Sequence, residues 1–487
     1  MLMPVLGLSG NAVGDGQTAH PKRIARPWPL SWLPLPIIFT VDKFVKKGYE
    51  EVIKKRDEPF TMRWWGLDYI FMPPKYLHDL KKARFEDLSF FENISYAFSL
   101  HASAEDIYSS TIMIDVVKKK LNPKLPSLVP VLAEETDYAF EKVFENAGDW
   151  TEFNTAKMSA ELMQRTTCAV LLSRELCRYD AFIKKSLAFG ESLFGNAVLQ
   201  TLVGGGPIRD RLVYVASYLH RRKLNRLLDM VAPVVQKRIE ERRGAKPIVD
   251  VDAIDWNIEL ADGNPKEFNA RRIANQLIHN LFAGTGAPAS VVTQILFQLL
   301  MEPEYLEPLQ QEVTSAFETY GKTEKALNNM PLMESFIMEI LRLQPPGCVT
   351  AARTVMNKSF QFHDGLQLPA GTRIAFPILA IQTDPDNIEE AAKFDGKRLL
   401  KAKSADNASA ATVSMTNLAF GYGKHACVGR YYTIRKIKLI VAKMITEYEF
   451  KWAKPIENRP ANFPIMGQFA PNLETTVLVR RLTSGLA

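Results

Sequence analysis

The sequence contains few cysteines and none of the spacings that build a disulfide or zinc framework. Its four cysteines lie far apart and form no Cys-x-x-Cys pair: Cys168, Cys177, Cys348 and Cys427. Disulfide-rich secreted domains and structural zinc sites both require closer and more regular spacings. We therefore expect a protein of a reducing compartment, in which three cysteines serve packing and one is left for chemistry.

Long apolar runs are absent as well. No stretch of about 18 or more apolar residues occurs near the N-terminus, so the sequence predicts no membrane-spanning helix there. Residues 27–39 are rich in apolar side chains but contain four prolines, which prevent a regular helix. We expect residues 1–44 to form a proline-rich strap, suited to lie along the protein or on a membrane. Residues 45–487 show neither a flexible linker nor an internal repeat, which predicts a single domain.

An excess of basic residues is present without the other signs of a nucleic-acid-binding protein. The formal net charge is +7, but zinc spacings, aromatic-basic patterns and low-complexity basic tails are missing. Basic runs such as residues 118–120 are therefore expected to be solvated helix faces, or to dock an acidic protein partner. With 47% hydrophobic and 24% charged residues, the composition indicates a globular protein, neither disordered nor integral to a membrane.

Apolar residues recur at helical spacing over much of the chain. The pattern predicts long helices over residues 128–147, 155–177, 210–243 and 270–302. The predicted β elements follow residue 350, with a hairpin over residues 360–368 that contains an Asp-Gly turn, and strands over residues 372–376 and 475–479. The sequence thus predicts a mainly α fold with a small β region.

The predicted helix over residues 270–302 is unusual in its centre. Asn269 can cap its start and Pro303 ends it, which gives a helix about 50 Å long. Residues 283–288 read Ala-Gly-Thr-Gly-Ala-Pro, and two glycines and a proline are unfavourable inside a helix. The proline also leaves the carbonyl of Gly284 without its amide partner. The segment indicates either a harmless kink or an opened groove, in which a bulky group lies against the helix.

A glycine-rich segment with one cysteine precedes a last helical pattern over residues 431–447. Residues 420–430 read Phe-Gly-Tyr-Gly-Lys-His-Ala-Cys-Val-Gly-Arg. A helix N-terminus offers free N–H groups and a partial positive charge, which stabilise a thiolate and lower the pKa of a cysteine. The glycines let the backbone approach a flat cofactor. This setting indicates that Cys427 serves chemistry rather than packing.

The segment resembles the haem-binding loop of cytochromes P450, whose pattern is Phe-x-x-Gly-x-Arg/His-x-Cys-x-Gly. The matching positions are Phe420, Gly423, His425, Cys427 and Gly429. Val428 departs from the family, which usually carries proline there. The resemblance implies haem b, with Cys427 as the axial ligand of its iron. It also implies a cytochrome P450 fold, with the haem between the long central helix and the helix that follows the cysteine loop. The loop is similar to that of filamentous-fungal natural-product enzymes.

A second motif of the same family lies upstream, in residues 333–345. Glu339 and Arg342 are three residues apart and can pair on one helix face. In the family this Glu-x-x-Arg pair joins a third charged residue that locks the core beneath the haem. The segment around Arg398 resembles the one that supplies this third residue, although Gly396 replaces a common proline.

The resemblance also implies contacts to the haem propionates. Arg353 matches the strand arginine that pairs with one propionate, and His425 matches a second partner. Lys118 falls where a Trp-x-x-x-Arg helix normally supplies an arginine, but Ile114 occupies the place of the tryptophan.

The predicted groove departs from the family at the two positions that handle protons. The usual groove sequence is Ala/Gly-Gly-x-Asp/Glu-Thr, whose acid and alcohol deliver protons to dioxygen. In this chain Gly286 stands at the place of the acid and Ala287 at the place of the alcohol. A substrate hydroxyl, an ordered water or Ser290, about one helical turn further on, could compensate.

By resemblance, the chain is a monooxygenase that oxidises a bulky lipophilic secondary metabolite with O2 and electrons that pass from NADPH through a cytochrome reductase. The missing acid–alcohol pair leaves a second possibility. In it the enzyme rearranges, dehydrates, couples or cyclises a substrate without net oxygen insertion. A haem electron carrier or sensor is a third and more remote one. By resemblance we expect a monomer at the cytosolic face of the endoplasmic reticulum, where fungal members of the family usually lie. Because the sequence predicts no membrane-spanning helix, a soluble protein is the alternative.

Three segments are candidate walls of a substrate pocket. They are Asn280, Ala283 and Ala287 on the central helix, the turn at residues 347–350 with Val349, and the loop at residues 466–469 with Phe469. Small and apolar side chains favour a bulky lipophilic substrate, such as a terpenoid, alkaloid or polyketide intermediate.

Overall fold

The computed structural model describes residues 22–23, 38–145, 147, 149–201, 209–243, 252–401 and 409–482 of the chain. Most of the predicted strap, residues 1–44, lies outside these ranges. Of its described part, Lys22–Arg23 forms a short strand, and the first described α-helix begins at Val41. Within the described ranges, no helix combines the length and the apolar character needed to cross a membrane.

Helices make up most of the described fold. The α-helices are α1 Val41–Gly48, α2 Lys54–Arg56, α3 Leu77–Lys82, α4 Phe90–Ala97, α5 Leu100–Ser103, α6 Ile112–Asp115, α7 Asn122–Val143, α8 Thr155–Leu171, α9 Arg174–Cys177, α10 Asp180–Gln200, α11 Arg209–Ala216, α12 Tyr218–Arg243, α13 Ala253–Ala261, α14 Ala270–Ala283, α15 Gly286–Met301, α16 Leu306–Tyr320, α17 Glu324–Asn328, α18 Pro331–Leu343, α19 Ile378–Gln382, α20 Arg398–Lys401 and α21 Arg430–Glu447. Turns of π-helix lie at Tyr49–Ile53 and Val116–Leu121, and turns of 3₁₀-helix at Pro74–Tyr76, Ile107–Ser109, Pro303–Tyr305 and Gly423–His425.

The β structure is small and lies in four sheets. Its strands are β1 Lys22–Arg23, β2 Phe60–Trp64, β3 Leu67–Phe71, β4 Leu88–Ser89, β5 Thr151–Asn154, β6 Thr350–Val355, β7 Ser359–Gln361, β8 Gln367–Pro369, β9 Arg373–Phe376, β10 Tyr448–Trp452, β11 Phe463–Ile465, β12 Gln468–Ala470 and β13 Thr476–Arg481. The largest sheet has the order β1-β2-β3-β9-β6-β4, and the others pair β10-β13-β5, β11-β12 and β7-β8.

The predicted β elements are confirmed with small changes at their ends. Strands β7 and β8 pair antiparallel from Ser359 opposite Pro369, so the hairpin forms as expected. Gly365 of the Asp-Gly turn has a φ of +91°, a conformation that glycine adopts readily and other residues rarely do. The two later predicted strands correspond to β9 and β13.

The predicted central helix is two helices, α14 and α15, separated by Gly284 and Thr285. The Asn269 cap is confirmed, because its side-chain oxygen accepts hydrogen bonds from the amides of Arg271 and Arg272 at 3.0 and 3.1 Å. The interruption has a local cause. Pro288 has no N–H to donate to the carbonyl four residues earlier, so the hydrogen-bond ladder fails at the glycine-rich segment. The expectation of one continuous helix was wrong.

The other predicted helices also differ at their ends. The helix expected over residues 155–177 ends at Leu171, and Ser173 caps a new one by accepting a hydrogen bond from the amide of Leu176. The helix expected over residues 210–243 is divided into α11 and α12. The sequence Gly-Gly-Gly-Pro at residues 204–207, which interrupts the helical pattern before residue 210, lies outside the described residues.

The apolar core falls into two clusters. The larger is helical and includes buried side chains of α7, α8, α12, α14, α15, α18 and α21. The smaller lies against the six-stranded sheet. Since α14, α15 and α21 all contribute to the larger cluster, the interruption at Gly284 lies in the interior of the protein.

Candidate active site

The loop around Cys427 is held in a single compact shape by its backbone. The amide of Cys427 donates to the carbonyl of Phe420 over 2.8 Å, which closes the loop just before α21. Gly423 has a φ of +71°, and a Cβ atom there would lie 2.5 Å from the carbonyl oxygen of Leu80. Any other residue at this position would therefore displace the backbone of α3, which explains the glycine in physical terms.

Cys427 is surrounded by protein but remains accessible to small molecules. Burial raises the pKa of its thiol, while hydrogen bonds from the backbone of Gly429 and Arg430 and the charges of Arg430 and Lys436 lower it. The side chain is nevertheless exposed. Both observations agree if the sulfur faces a cavity within the fold. The loop therefore presents a sulfur ligand with amides directed at it, as a thiolate requires.

Small residues with exposed surface lie where α14 ends and α15 begins. Ala283, Gly286 and Ala287 are exposed, whereas Leu281 and Pro288 on either side are buried. A Cβ atom added at Gly286 would meet nothing within 4 Å. The segment between α14 and α15 is thus an open, small-residue surface, and the harmless-kink interpretation does not account for this space.

The other candidate pocket walls come together in part. The turn at residues 347–350 contacts the loop at residues 466–469, because the amide of Cys348 donates to Gly467 over 2.7 Å and that of Phe469 to Pro346 over 2.8 Å. Val349 is nearly buried and Phe469 half-buried. The side chain of Asn280 is occupied by a hydrogen bond to the carbonyl of Met113.

The carbonyl of Gly284 finds its hydrogen-bond donor outside its own helix. Lys436, from α21, donates to it over 2.8 Å, and Thr167, from α8, lies 3.2 Å away. Lys436 was missed in the sequence. A signal was present, since Tyr432, Lys436 and Ile440 are spaced by four and mark the buried face of α21.

Arg353 is a buried cation on strand β6, with 2% of its surface exposed. Its guanidinium donates to the carbonyls of Ala352 and Tyr422 at 2.7 and 3.2 Å. Burial lowers its pKa to about 9. Among the described residues no carboxylate contributes to this pKa shift. The guanidinium of Arg353 could therefore pair with an anionic group.

His425 lies close enough to Arg353 to be affected by its charge. Burial first, and the Arg353 charge second, lower the pKa of His425 to about 4, so its ring is neutral at pH 7. The ring stacks on Phe85 with 3.8 Å between centroids and bonds the Phe85 carbonyl through Nε2 over 3.0 Å. Lys118, the third candidate for this role, has an exposed side chain on the π-helical turn Val116–Leu121.

The charged triad suggested by the second motif forms in the structure. Arg342 donates to both carboxylate oxygens of Glu339, at 2.8 and 2.6 Å, and Arg398 donates to the same carboxylate at 3.1 Å. Glu339 and Arg342 are 3% and 5% exposed. The triad ties α18 to the segment that leads into α20.

The groove itself carries neither an acid nor a free alcohol at the expected places. Gly286 and Ala287 begin α15, and Ser290 follows one turn later with a half-buried side chain. Thr285 is adjacent, but its hydroxyl donates to the carbonyl of Leu281 over 2.8 Å. The nearest threonine hydroxyl is therefore engaged within the helix.

Comparisons with known proteins show the family and the fold of the chain. A family model for cytochrome P450 matches residues 111–471. The cytochrome P450 monooxygenase sirB of Leptosphaeria maculans is 38% identical over 462 residues, covering 93% of this chain and 88% of that protein. An ent-kaurene oxidase of Gibberella intermedia is 29% identical over 463 residues, covering 93% and 86%. The solved structure of retinoic acid-bound cyanobacterial CYP120A1 aligns with a TM-score of 0.70 at 19% identity, over 95% of this chain and 99% of that one. The expected fold is thereby confirmed.

Proposed function

This chain belongs to the cytochrome P450 family, and from that membership we propose that it inserts oxygen into a bulky lipophilic secondary metabolite. It is a haem-thiolate oxidoreductase of the monooxygenase type, whose electrons come from NADPH through a reductase. The names of two relatives, a monooxygenase and an ent-kaurene oxidase, support the reaction type and the lipophilic substrate class.

The observation that carries the proposal is the position of Cys427. Its side chain is accessible although the protein surrounds it, and the amides of Gly429 and Arg430 are directed at its sulfur. We assign Cys427 as the iron ligand, with Phe420, Gly423 and Gly429 shaping the loop that would lie against the haem. A Cβ atom at Gly429 would meet nothing within 4 Å, which supports a close approach of a flat group there.

Two cationic or polar side chains fit the acidic edge of a haem. The guanidinium of Arg353 is buried without a carboxylate among the described residues, so an anionic propionate would compensate its charge. His425 lies within the electrostatic range of Arg353, and its Nε2 is engaged with the Phe85 carbonyl, so its Nδ1 would donate to a second propionate only if the charge of that propionate raised the pKa of the ring and kept it protonated. The Glu339, Arg342 and Arg398 triad is assigned a structural role, because both guanidinium groups are paired with the Glu339 carboxylate within the protein.

The chain's own residues then divide the remaining work. Bound haem supplies the oxidising power for C–H bonds. Ala283 and Ala287 leave room for a bulky substrate at the groove, with Asn280, Val349 and Phe469 as further walls. The side chains of Gly286 and Ala287 have no acidic proton to donate, so protons for the reaction must come from the substrate, from water or from Ser290.

A second candidate function follows from the same two residues. An enzyme that rearranges, dehydrates, couples or cyclises its substrate without net oxygen insertion needs no acid–alcohol pair. The open space at Gly286 and the methyl group of Ala287 are compatible with that chemistry.

Labelled oxygen separates the two candidates. Purified enzyme with reductase and NADPH is supplied with extracts of the producing organism under ¹⁸O2, and products are analysed by mass spectrometry. We expect one labelled oxygen in a new product and no turnover without NADPH. Cys427→Ala is the control, and it should lose both the product and the red-shifted band of the reduced carbon monoxide complex. Unlabelled product formed without NADPH would overturn the monooxygenase proposal.

Introducing an acid at residue 286 and an alcohol at residue 287 tests the monooxygenase proposal by a change in the protein. The double variant Gly286→Asp, Ala287→Thr is expected to increase product formed per NADPH consumed, because the space at Gly286 accepts a side chain. Gly286→Ala adds a Cβ without the acid and is the matched control. If the double variant leaves the ratio of product to NADPH unchanged, compensation for a missing relay is the wrong explanation.

We propose that the enzyme works at a membrane surface, at the cytosolic face of the endoplasmic reticulum. A group of exposed apolar side chains, called here the apolar patch, supports a location at the membrane. Its members are each at least half exposed: Leu199, Leu212, Tyr214, Val215, Tyr218 and Leu219. Exposed Arg211, Arg222 and Lys223 and the partly exposed Arg221 lie in the same stretch of chain. Apolar and aromatic side chains beside basic ones suit the interface of an anionic bilayer. We further propose that residues 45–487 are one domain and that the enzyme is monomeric.

A further inference from the structure

Two histidines lie in the interior where α10, α12 and α14 meet. His220 on α12 is 3% exposed, and His279 on α14 is 1% exposed. The ring of Phe189, from α10, contacts both, with 5.1 Å between its centroid and that of His220 and 5.4 Å to that of His279. The ring of Tyr108 also contacts His279, at 5.8 Å between centroids. The two imidazoles therefore share an aromatic neighbour and lie away from solvent.

The proton of the His279 ring is placed by its own helix. Nδ1 lies 2.9 Å from the backbone carbonyl of Asn275, which can only accept, so Nδ1 carries the proton. Burial lowers the pKa of His279 to about 4, so the ring is neutral at pH 7 and Nε2 is an acceptor. Among the described residues nothing donates to this Nε2, although it is buried. A buried acceptor without a donor is costly, which points to a donor from outside the chain.

His220 also has one nitrogen engaged and one without a partner. Its Nδ1 lies 2.8 Å from the hydroxyl of Ser192, and the same hydroxyl lies 3.0 Å from the carbonyl of Phe189. The single proton of the hydroxyl can go to the carbonyl or to the ring, so Nδ1 can donate or accept. In both cases Nε2 has no partner within the part of the chain that the structure describes. His220 can thus accept a hydrogen bond through Nε2 in one tautomer and donate one in the other.

The unpaired nitrogen of His279 belongs to a helix face that leads to the groove. His279 lies four residues before Ala283, which is about 6 Å along the axis of α14 and on the same face. Ala283 is exposed at the groove. Asn275, four residues before His279, continues this face. Its side-chain amide donates to the carbonyl of Ala104 over 3.2 Å, and its Oδ1 has no donor among the described residues. Two buried acceptors without donors therefore follow this face towards the groove.

We propose that His279 and His220 form a binding site for a hydroxyl group of the lipophilic substrate, which donates its proton to Nε2 of His279. The inference rests on the proposed function, because it places a part of that substrate. A hydroxyl has one proton to donate and lone pairs to accept, so it matches the fixed acceptor of His279 and the adaptable Nε2 of His220. The rings of Phe189 and Tyr108 suit the apolar skeleton next to the hydroxyl. The two histidines are positioning residues, which orient one end of the substrate while another part lies at Ala283.

Calorimetric titration of the holoenzyme with two matched probes tests the site. Adamantanol is bulky and lipophilic and carries a hydroxyl. Its methyl ether, methoxyadamantane, has the same skeleton and an oxygen that cannot donate. We expect the wild type to bind the alcohol about fivefold more tightly than the ether, which is the effect of one neutral hydrogen bond. A site built for a hydroxyl discriminates against the analogue without it, because its own polar groups are then left unpaired.

Three variants identify the group that is responsible. His279→Phe removes the acceptor and keeps a ring, so the preference for the alcohol should disappear. His279→Gln keeps an acceptor near the position of Nε2 and should retain the preference. Thr293→Val is the matched control on α15, because its buried hydroxyl is paired with the carbonyl of Ala289 over 3.1 Å. The control should bind the two probes in the wild-type ratio.

Thermal unfolding separates a binding role from a structural one. Removing a buried acceptor that lacks a donor relieves a cost, so His279→Phe is expected to melt at the wild-type temperature or above it. A histidine that served packing alone would lower the melting temperature and leave the ratio of the two affinities unchanged, which would overturn the proposal. If His279→Phe does not fold, His220→Phe decides the question, because a wild-type ratio in that variant would also exclude the site.

The outcomes separate this inference from the proposed function. A wild type without a preference for the alcohol, whether it binds both probes equally or neither, overturns the hydroxyl site, and so does a preference that His279→Phe leaves intact. An ordered water that permanently fills the site would give this result. Labelled product under ¹⁸O2 from such an enzyme would leave the monooxygenase proposal standing. Conversely, a preference that depends on His279, in an enzyme that forms unlabelled product without NADPH, would support the site and overturn the monooxygenase proposal.

Discussion

At the scale of single residues, two buried basic side chains have no carboxylate partner among the described residues. Arg353 lies in the interior with carbonyl groups as its partners, and Lys436 with a carbonyl, a hydroxyl and an aromatic ring. Buried cations of this kind are retained where an anion completes the site. For Arg353, the anion that we propose is a haem propionate.

Replacing Arg353 by glutamine is expected to weaken the hold on haem. A hydrogen bond to a charged group contributes about 1.5–3 kcal/mol, so haem should leave the variant roughly ten to a hundred times faster. Transfer of haem to excess apomyoglobin measures the rate. Arg63→Gln is the control, because Arg63 is exposed and its guanidinium donates to the carbonyl of Gly66. Equal rates for the two variants would exclude Arg353 as a propionate partner.

At the scale of elements, the triad of Glu339, Arg342 and Arg398 holds α18 against the segment before α20. Arg342 also donates to the carbonyl of Gln382 over 2.9 Å, at the end of α19. The Glu339–Arg342 pair thus links α18 to the end of α19 and to Arg398 at the start of α20.

Removing that carboxylate should therefore destabilise the fold. Glu339→Gln leaves two arginines without their partner, and breaking a buried ion pair costs about 3–5 kcal/mol. Urea unfolding followed by circular dichroism measures the change in free energy of unfolding. Glu307→Gln is the matched control, because Glu307 is exposed on α16. A loss for Glu339→Gln no larger than that of the control would contradict a stabilising role.

At the scale of the whole molecule, the apolar patch and the buried site lie on different parts of the fold. The patch belongs to the end of α10, to α11 and to the start of α12. The guanidinium of Arg221 lies 3.5 Å from the ring centroid of Tyr214, so a cation and an aromatic ring are paired at the surface. Such pairs suit the headgroup region of a bilayer.

Changing the patch should alter membrane binding and leave haem binding intact. The double variant Val215→Ser, Leu219→Ser removes two side chains that are 70% and 69% exposed. Burying each apolar side chain in a bilayer would contribute about 1.5 kcal/mol or more, so loss of both should weaken binding roughly a hundredfold. Co-sedimentation with vesicles of phosphatidylcholine and phosphatidylserine measures it. Leu400→Ser, at a side chain that is 42% exposed elsewhere on the surface, is the control. Equal binding of both variants would remove the patch from the membrane proposal.

Much of the site could be predicted because its signals are local in the chain. The cysteine loop, the Glu-x-x-Arg spacing, the Asn269 cap and the Asp-Gly hairpin each depend on residues only a few positions apart. The geometry of helices and turns brings residues a few positions apart into contact, so such features can be predicted from spacing in the sequence. The weak assignment of Lys118 had no such support, and the structure gives its side chain an exposed position.

The sequence by itself determined the cysteine loop before the last helix, the helical character of the fold and the interruption of the helical pattern at residues 284–288. Only the tertiary structure decided which groups donate hydrogen bonds to the carbonyl of Gly284 at that interruption. The partners of Gly284 come from α8 and α21, and no helical period connects residues so far apart in the chain. The burial of a charged side chain also depends on residues that are far apart in the chain. Whether Arg353 and Lys436 meet a counter-charge depends on every element packed around them, and this is settled only when the chain has folded.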